Sequence, residues 1–88
     1  MKLVTDLGEN EVIHCPTLEE AEAICRLLGE SGFRWVGGES FLRKENNWYA
    51  YRDATCFHPK EGQFSEIGYY MKRKYTIHKA SEFLTETK

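Results

Sequence analysis

The first 32 residues contain no aromatic side chain; all twelve Phe, Trp and Tyr residues lie between Phe33 and Phe83. Any core built by the front of the chain must therefore be aliphatic. Proline occurs only at Pro16 and Pro59, which excludes a proline-rich linker or spacer. No apolar run approaches 18 residues, so no membrane-spanning helix is expected. Neither GxGxxG nor GxxxxGK[ST] occurs, and the Gly37-Gly38 pair reads as a turn instead of a phosphate loop. Cysteine is limited to Cys15, Cys25 and Cys56. An odd count without a secretory leader points to a reducing cytoplasm, with the thiols acting as small buried hydrophobes.

Two further absences bear on chemistry. A strand over 54–58 would put Cys56 and His58 on one face, with His14 and Cys15 as candidates to join them. No second Cys/His pair stands at an established zinc spacing, so no metal site and no cofactor are expected. The same pair lacks the pattern of a nucleophile with its base, so no catalytic residue is assigned and the chain is expected not to be an enzyme.

What is present is a lopsided charge and aromatic distribution. Through Gly32, seven acidic residues face only Lys2 and Arg26; from Phe33 onward, ten Lys/Arg face seven Asp/Glu. The 88 residues, 30% charged and 41% hydrophobic, fit one soluble globular domain over 1–88. A domain this small buries roughly 60–65% of its unfolded surface, enough for one modest core. The net charge of −2 makes duplex DNA an unlikely partner, since that role calls for a basic footprint.

Thr17-Leu18-Glu19-Glu20 is the clearest local signal. Thr17 is placed to cap a helix and Glu20, three residues on, to reach back to the cap amide. Leu18, Ala21, Ile24, Cys25 and Leu28 recur at helical spacing, and Gly32 is placed to close the helix in the left-handed region. The pattern predicts an amphipathic helix over 18–31. Strands are expected at 2–5 and 11–15, forming a front hairpin, and at 33–36, 54–58, 63–69 and 75–78. Residues 39–47 read as a loop or short helical turn, 46–52 as either strand or helical turn, and 81–84 as a terminal turn. Together these give an α+β fold: an antiparallel sheet of several short strands with one helix packed on one face.

The aromatic-basic set of the second half is the functional candidate: Arg34, Trp35, Arg43, Trp48, Tyr49, Tyr51, Arg52, Tyr69, Tyr70, Lys72 and Arg73. A flat ring beside a guanidinium can stack a base and hold its phosphate. The competing reading is that the rings fill the core while the charges reach outward. One helix covers only one sheet face, so twelve aromatics exceed what one small core needs. Arg34, Trp35, Trp48, Tyr51, Arg52, Tyr69 and Tyr70 are the leading ligand-binding positions.

From His14-Cys15-Pro16-Thr17 through Glu19-Glu20-Ala21, Leu28, Gly32-Phe33 and Trp35, the chain resembles small proteins encoded by phages and prophages. Trp48, Tyr51, Thr55-Cys56-Phe57, Tyr69-Tyr70, Tyr75-Thr76-Ile77 and Ala80-Ser81-Glu82-Phe83-Leu84 continue the pattern. The resemblance implies a phage-derived accessory protein of the host cell cytoplasm, serving host takeover or immune evasion, and carries over no catalytic residue. Two modes of action follow: sequestering a nucleotide-derived signal in an aromatic and basic pocket, or blocking a host defence protein through an exposed aromatic-Arg patch; a third, binding single-stranded nucleic acid, fits the aromatic-basic back but not the net charge. A homo-oligomer is left open.

Overall fold

The computed structural model describes residues 3–42 and 48–84. Four strands form one sheet: β1 (Glu11–His14), β2 (Thr55–His58), β3 (Gln63–Glu66) and β4 (Thr76–Lys79). Their order is β3-β2-β1-β4. Helix α1 (Leu18–Glu30) packs on one face and the short helix α2 (Ile67–Lys72) on the other. The class is α+β, as the residue pattern predicts.

Helix α1 follows its local signals closely. Thr17 Oγ1 accepts from the Glu20 amide at 3.2 Å. The Glu20 carboxylate does not reach the Thr17 amide as a capping box would have it; it takes the Thr17 hydroxyl at 3.2 Å. Gly32, at φ 91°, turns the chain after the helix, and the Phe33 amide closes back on the Leu28 carbonyl at 3.0 Å. A side chain at that φ would be strained, which is why glycine suits it. Ala21, Ile24, Cys25 and Leu28 are buried against Ile13 and Phe57 of the sheet.

Alternation along the strands divides the sheet. Ile13 and Phe57 point into the α1 core, while their neighbours Val12 and Cys56 point to the other side. There Tyr70 of α2 is 2% exposed and packs with Val12 and Cys56, flanked by Ile67, Tyr75 and Ile77. Val4, Leu7, Phe41, Ala80 and Phe83 fill out the larger core.

Several expectations are corrected. The sheet is mixed: β1–β2 and β2–β3 are antiparallel, but β1 and β4 pair in parallel, from Glu11↔Thr76 to His14↔Lys79. The cause is α2. It carries the chain from the β3 edge across the sheet to the far side of β1, and a crossover delivers a strand in the same direction. The expected strand over 63–69 therefore stops at Glu66, where Ile67 and Tyr70 begin to repeat at helical spacing. So two helices cover two faces instead of one covering one. The front hairpin does not form: Val4–Asp6 is a 3-10 turn that buries Val4 and, just after it, Leu7. Residues 33–36 are not a sheet strand; Arg34 and Ser40 make one isolated bridge across a tight turn. The ambiguous stretch before β2 resolves as two 3-10 turns, Trp48–Ala50 and Arg52–Ala54. Lys2 of the expected first strand, and residues 43–47 of the expected loop with Arg43 among them, lie outside the described residues.

Candidate functional site

The turn over residues 34–40 builds a cleft against the start of β3. The Trp35 amide donates to the Glu39 carbonyl at 2.7 Å and the Gly38 amide to the Trp35 carbonyl at 2.7 Å, with Gly38 at φ 97°. One guanidinium nitrogen of Arg34, Nη1, donates to the Gly38 carbonyl at 3.0 Å. The turn is moored to the sheet by the Val36 amide, which donates to the Gly62 carbonyl at 3.0 Å. That approach needs glycine. Gly62 has φ 66°, and a Cβ there would run into the backbone of Arg34, Trp35 and Val36.

Between turn and strand lies an open cleft of about 390 Å³, walled by Trp35, Val36 and Phe64 with Gln63 and Glu39 at its margins. Among the described residues no Lys, Arg or His lines it. Arg34 is tied to the turn beside it, since the Gly38 it holds lies between the lining residues Gly37 and Glu39. Trp35, 7% exposed, meets Phe41, Phe57 and Phe64 at centroid distances of 4.2, 6.1 and 6.1 Å. Its indole N–H is buried without an acceptor. Tyr51 extends the wall outward, its ring 5.8 Å from Phe64.

The seven residues singled out in the sequence do not gather on one surface. Trp35 lines the cleft but is mostly core, and Arg34 is exposed and bonded to Gly38 in the turn that walls it. Tyr51 and Arg52 are exposed nearby in sequence, with Arg52 at φ 51°. Trp48 is half-buried against the core. Its Nε1 donates to the Cys15 carbonyl at 3.0 Å, and its own carbonyl accepts from the Thr55 hydroxyl at 3.1 Å. Tyr69 and Tyr70 sit on α2, across the sheet from the α1 core. Tyr69 is exposed, with the Arg73 guanidinium 4.1 Å from its ring centre. Tyr70 is buried beneath it, edge-on to His58 and beside Tyr75. Burial pushes the Tyr70 phenol well above its ordinary range, with smaller contributions from Cys56, Tyr69, Tyr75 and Glu61.

Phe64, Val36 and Gly62 are cleft residues that sequence reasoning did not single out. Phe64 alternates correctly for a strand, but only topology shows that β3 is an edge strand beside the 34–40 turn. Gly62 falls between the expected strands 54–58 and 63–69, where the sequence alone assigns a glycine only to a turn.

The thiols are buried and free. Burial pushes Cys25 and Cys56 up to about 12 and raises Cys15 as well, where Cys25 and Cys56 add to the effect. All three stay protonated near neutral pH and are poor nucleophiles. Cys56 and His58 do share a face of β2, and register puts His14 opposite Cys56. His58 is buried, its Nε2 against the Glu9 carbonyl, and His14 Nε2 meets the Asp53 carbonyl at 2.7 Å. Among the described residues no three His, Cys, Asp or Glu side chains come together as a metal cluster, and no helix is long and apolar enough to cross a membrane. In comparisons with known proteins, no family model matches the chain, and neither a curated protein nor a solved structure matches it significantly.

Proposed function

We propose that this is a small non-enzymatic binding protein that holds a planar, nucleotide-type molecule in the Trp35–Phe64 cleft. The observation that carries this reading is an aromatic-walled cleft of about 390 Å³ whose lining turn holds the Arg34 guanidinium by its bond to the Gly38 carbonyl. That volume falls in the range of small-molecule sites, roughly 300–1,000 Å³, which are mostly apolar with a few placed polar groups. The ring system lies against Phe64 and Val36, and the anionic end is directed to Arg34. Arg34 spends one donor on Gly38 and takes part in no ion pair among the described residues. A guanidinium has five N–H donors, so capacity for a phosphate is left over. The protonated, buried thiols favour binding over covalent chemistry. The resemblance to phage and prophage proteins supplies the setting: removal of a nucleotide-derived defence signal in the host cytoplasm.

Calorimetric titration against cyclic and ADP-ribose-type nucleotides tests this. Phe64→Ala is expected to weaken binding by about 1–3 kcal/mol, the worth of one stacking ring. Arg34→Ala should weaken phosphorylated ligands but not the matching nucleosides. Glu19→Ala, on the outer face of α1, should change nothing. No binding across the panel would refute the reading. Capture of a host protein from lysate under those conditions would replace it with a protein-blocking inhibitor.

A further inference from the structure

The charge asymmetry of the sequence has a tertiary counterpart that the cleft does not use. Helix α1 lies on one face of the sheet and turns Glu19, Glu22 and Glu30 outward, with Arg26 as the one basic residue among them. Helix α2 lies on the opposite face and ends in Lys72, Arg73 and Lys74, all exposed. None of these seven side chains takes part in an ion pair among the described residues. The basic end also carries apolar surface: Met71 is 62% exposed and Tyr69 41%, with Arg73 stacked on the Tyr69 ring. Lys74 sits at φ 63°, in the left-handed position past a helix end where glycine is usual.

We propose that copies of this chain associate head to tail, the acidic outer face of α1 on one copy docking against the basic end of α2 on the next. Charge complementarity selects a second copy as the occupant, because each molecule presents both signs on opposite sides of one sheet. Such a contact is heterologous: it leaves a free acidic face and a free basic end on every pair, so it grows into a ring or an open chain instead of stopping at a two-fold dimer. Single exposed ion pairs contribute little, so the contact is weak, depends on several charges at once and is sensitive to salt.

Sedimentation velocity over a concentration series tests the proposal in about 0.1 M and about 1 M NaCl, where the screening length falls from about 10 to about 3 Å. The expected result is an average mass that passes the dimer at low salt and returns toward the monomer at high salt, with association at least about tenfold weaker. The paired variants K72E/R73E and E22K/E30K should each remain monomeric alone, because each presents the same net sign on both faces. Mixed together they should associate again, since the reversed faces are once more complementary. That recovery also shows that both variants are folded. A strict monomer at low salt, a closed dimer, a salt-insensitive oligomer, or a mixture that stays dissociated would each overturn the proposal.

Discussion

The two faces of the sheet are built on different physical terms. The α1 face is covered by a helix of 13 residues whose stripe of Ala21, Ile24, Cys25 and Leu28 interlocks with Ile13, Phe57, Trp35 and Phe41. The α2 face is covered by six residues, and its fully buried cluster is Val12, Cys56 and Tyr70. The first face spreads its stability over many aliphatic and aromatic contacts. The second concentrates it in one ring, bracketed by Tyr69, Tyr75 and His58. A helix this short has little stability of its own, so α2 depends on that single anchor.

The largest expected effect follows from this difference. Tyr70→Ala should cost about 3–5 kcal/mol, as for other buried aromatics. Hydrogen exchange should show α2 opening while α1 keeps its protection. Leu28→Ala, fully buried on the other face, should cost about 2–5 kcal/mol in urea melts. Here the loss should be global. If both variants open the same amides, the two faces form one cooperative unit and the comparison collapses.

Gly62→Ala comes next, at about 1–3 kcal/mol for overpacking added to the strain of a positive φ. The measurement is a urea melt with a Trp fluorescence scan. Trp35 sits on the turn that would be pushed away, so its emission should shift while α1 helicity is retained.

The thiols sharpen the comparison at high pH, since Cys25 serves the α1 face and Cys56 the α2 face. Their folded values, about 12, lie above the ordinary value of 9.0, so the folded state holds protons that the unfolded state releases. The contribution of each thiol to stability is then flat below pH 9 and falls as pH rises from 9 toward 12, by about 1.4 kcal/mol per pH unit. Cys25→Ala and Cys56→Ala should each flatten the slope measured by denaturant melts between pH 8 and about 10.5. An unchanged slope would mean that the thiols reach solvent.

The smallest effects concern the helix ends and outer faces. Helix α1 closes with Gly32 at φ 91° and α2 with Lys74 at φ 63°. Lys74→Gly should therefore stabilise by roughly 0.5–1 kcal/mol, visible as a small rise in Tm. Glu22→Ala, on the exposed side of α1, should stay within about 0.5 kcal/mol.

Much of α1 was legible because its causes are local. Thr17, the apolar stripe and Gly32 act within a few residues of one another, and the expected 18–31 differs from the observed span only by Ser31 at the cap. Over 33–36 no sheet strand forms, yet Phe33 and Trp35 are the more buried residues and Arg34 and Val36 the exposed ones. Two errors share a cause. Short apolar runs such as Leu3-Val4 and Ile67-Gly68-Tyr69 look alike whether they become strand, 3-10 turn or helix, because periodicity needs more length to separate these outcomes. The aromatics were legible as a group but not one by one. Trp35, Trp48 and Tyr70 differ little from Tyr49 and Tyr69 in sequence, yet the first three are buried or half-buried and the last two are exposed.

The sequence alone determined the α+β class, the main helix with its inner face, and the separation of an acidic front from an aromatic, basic back. These depend on composition and on interactions between near neighbours. Only the tertiary structure decided that β4 runs parallel to β1, that a second helix crosses to the other face, and that Phe64 and Gly62 meet the 34–40 turn at a cleft. It also decided that the two charge signs lie on opposite sides of one sheet. Each of these joins residues far apart in the chain. Such pairings are chosen by the burial of whole faces at once, and no local window of residues records that choice.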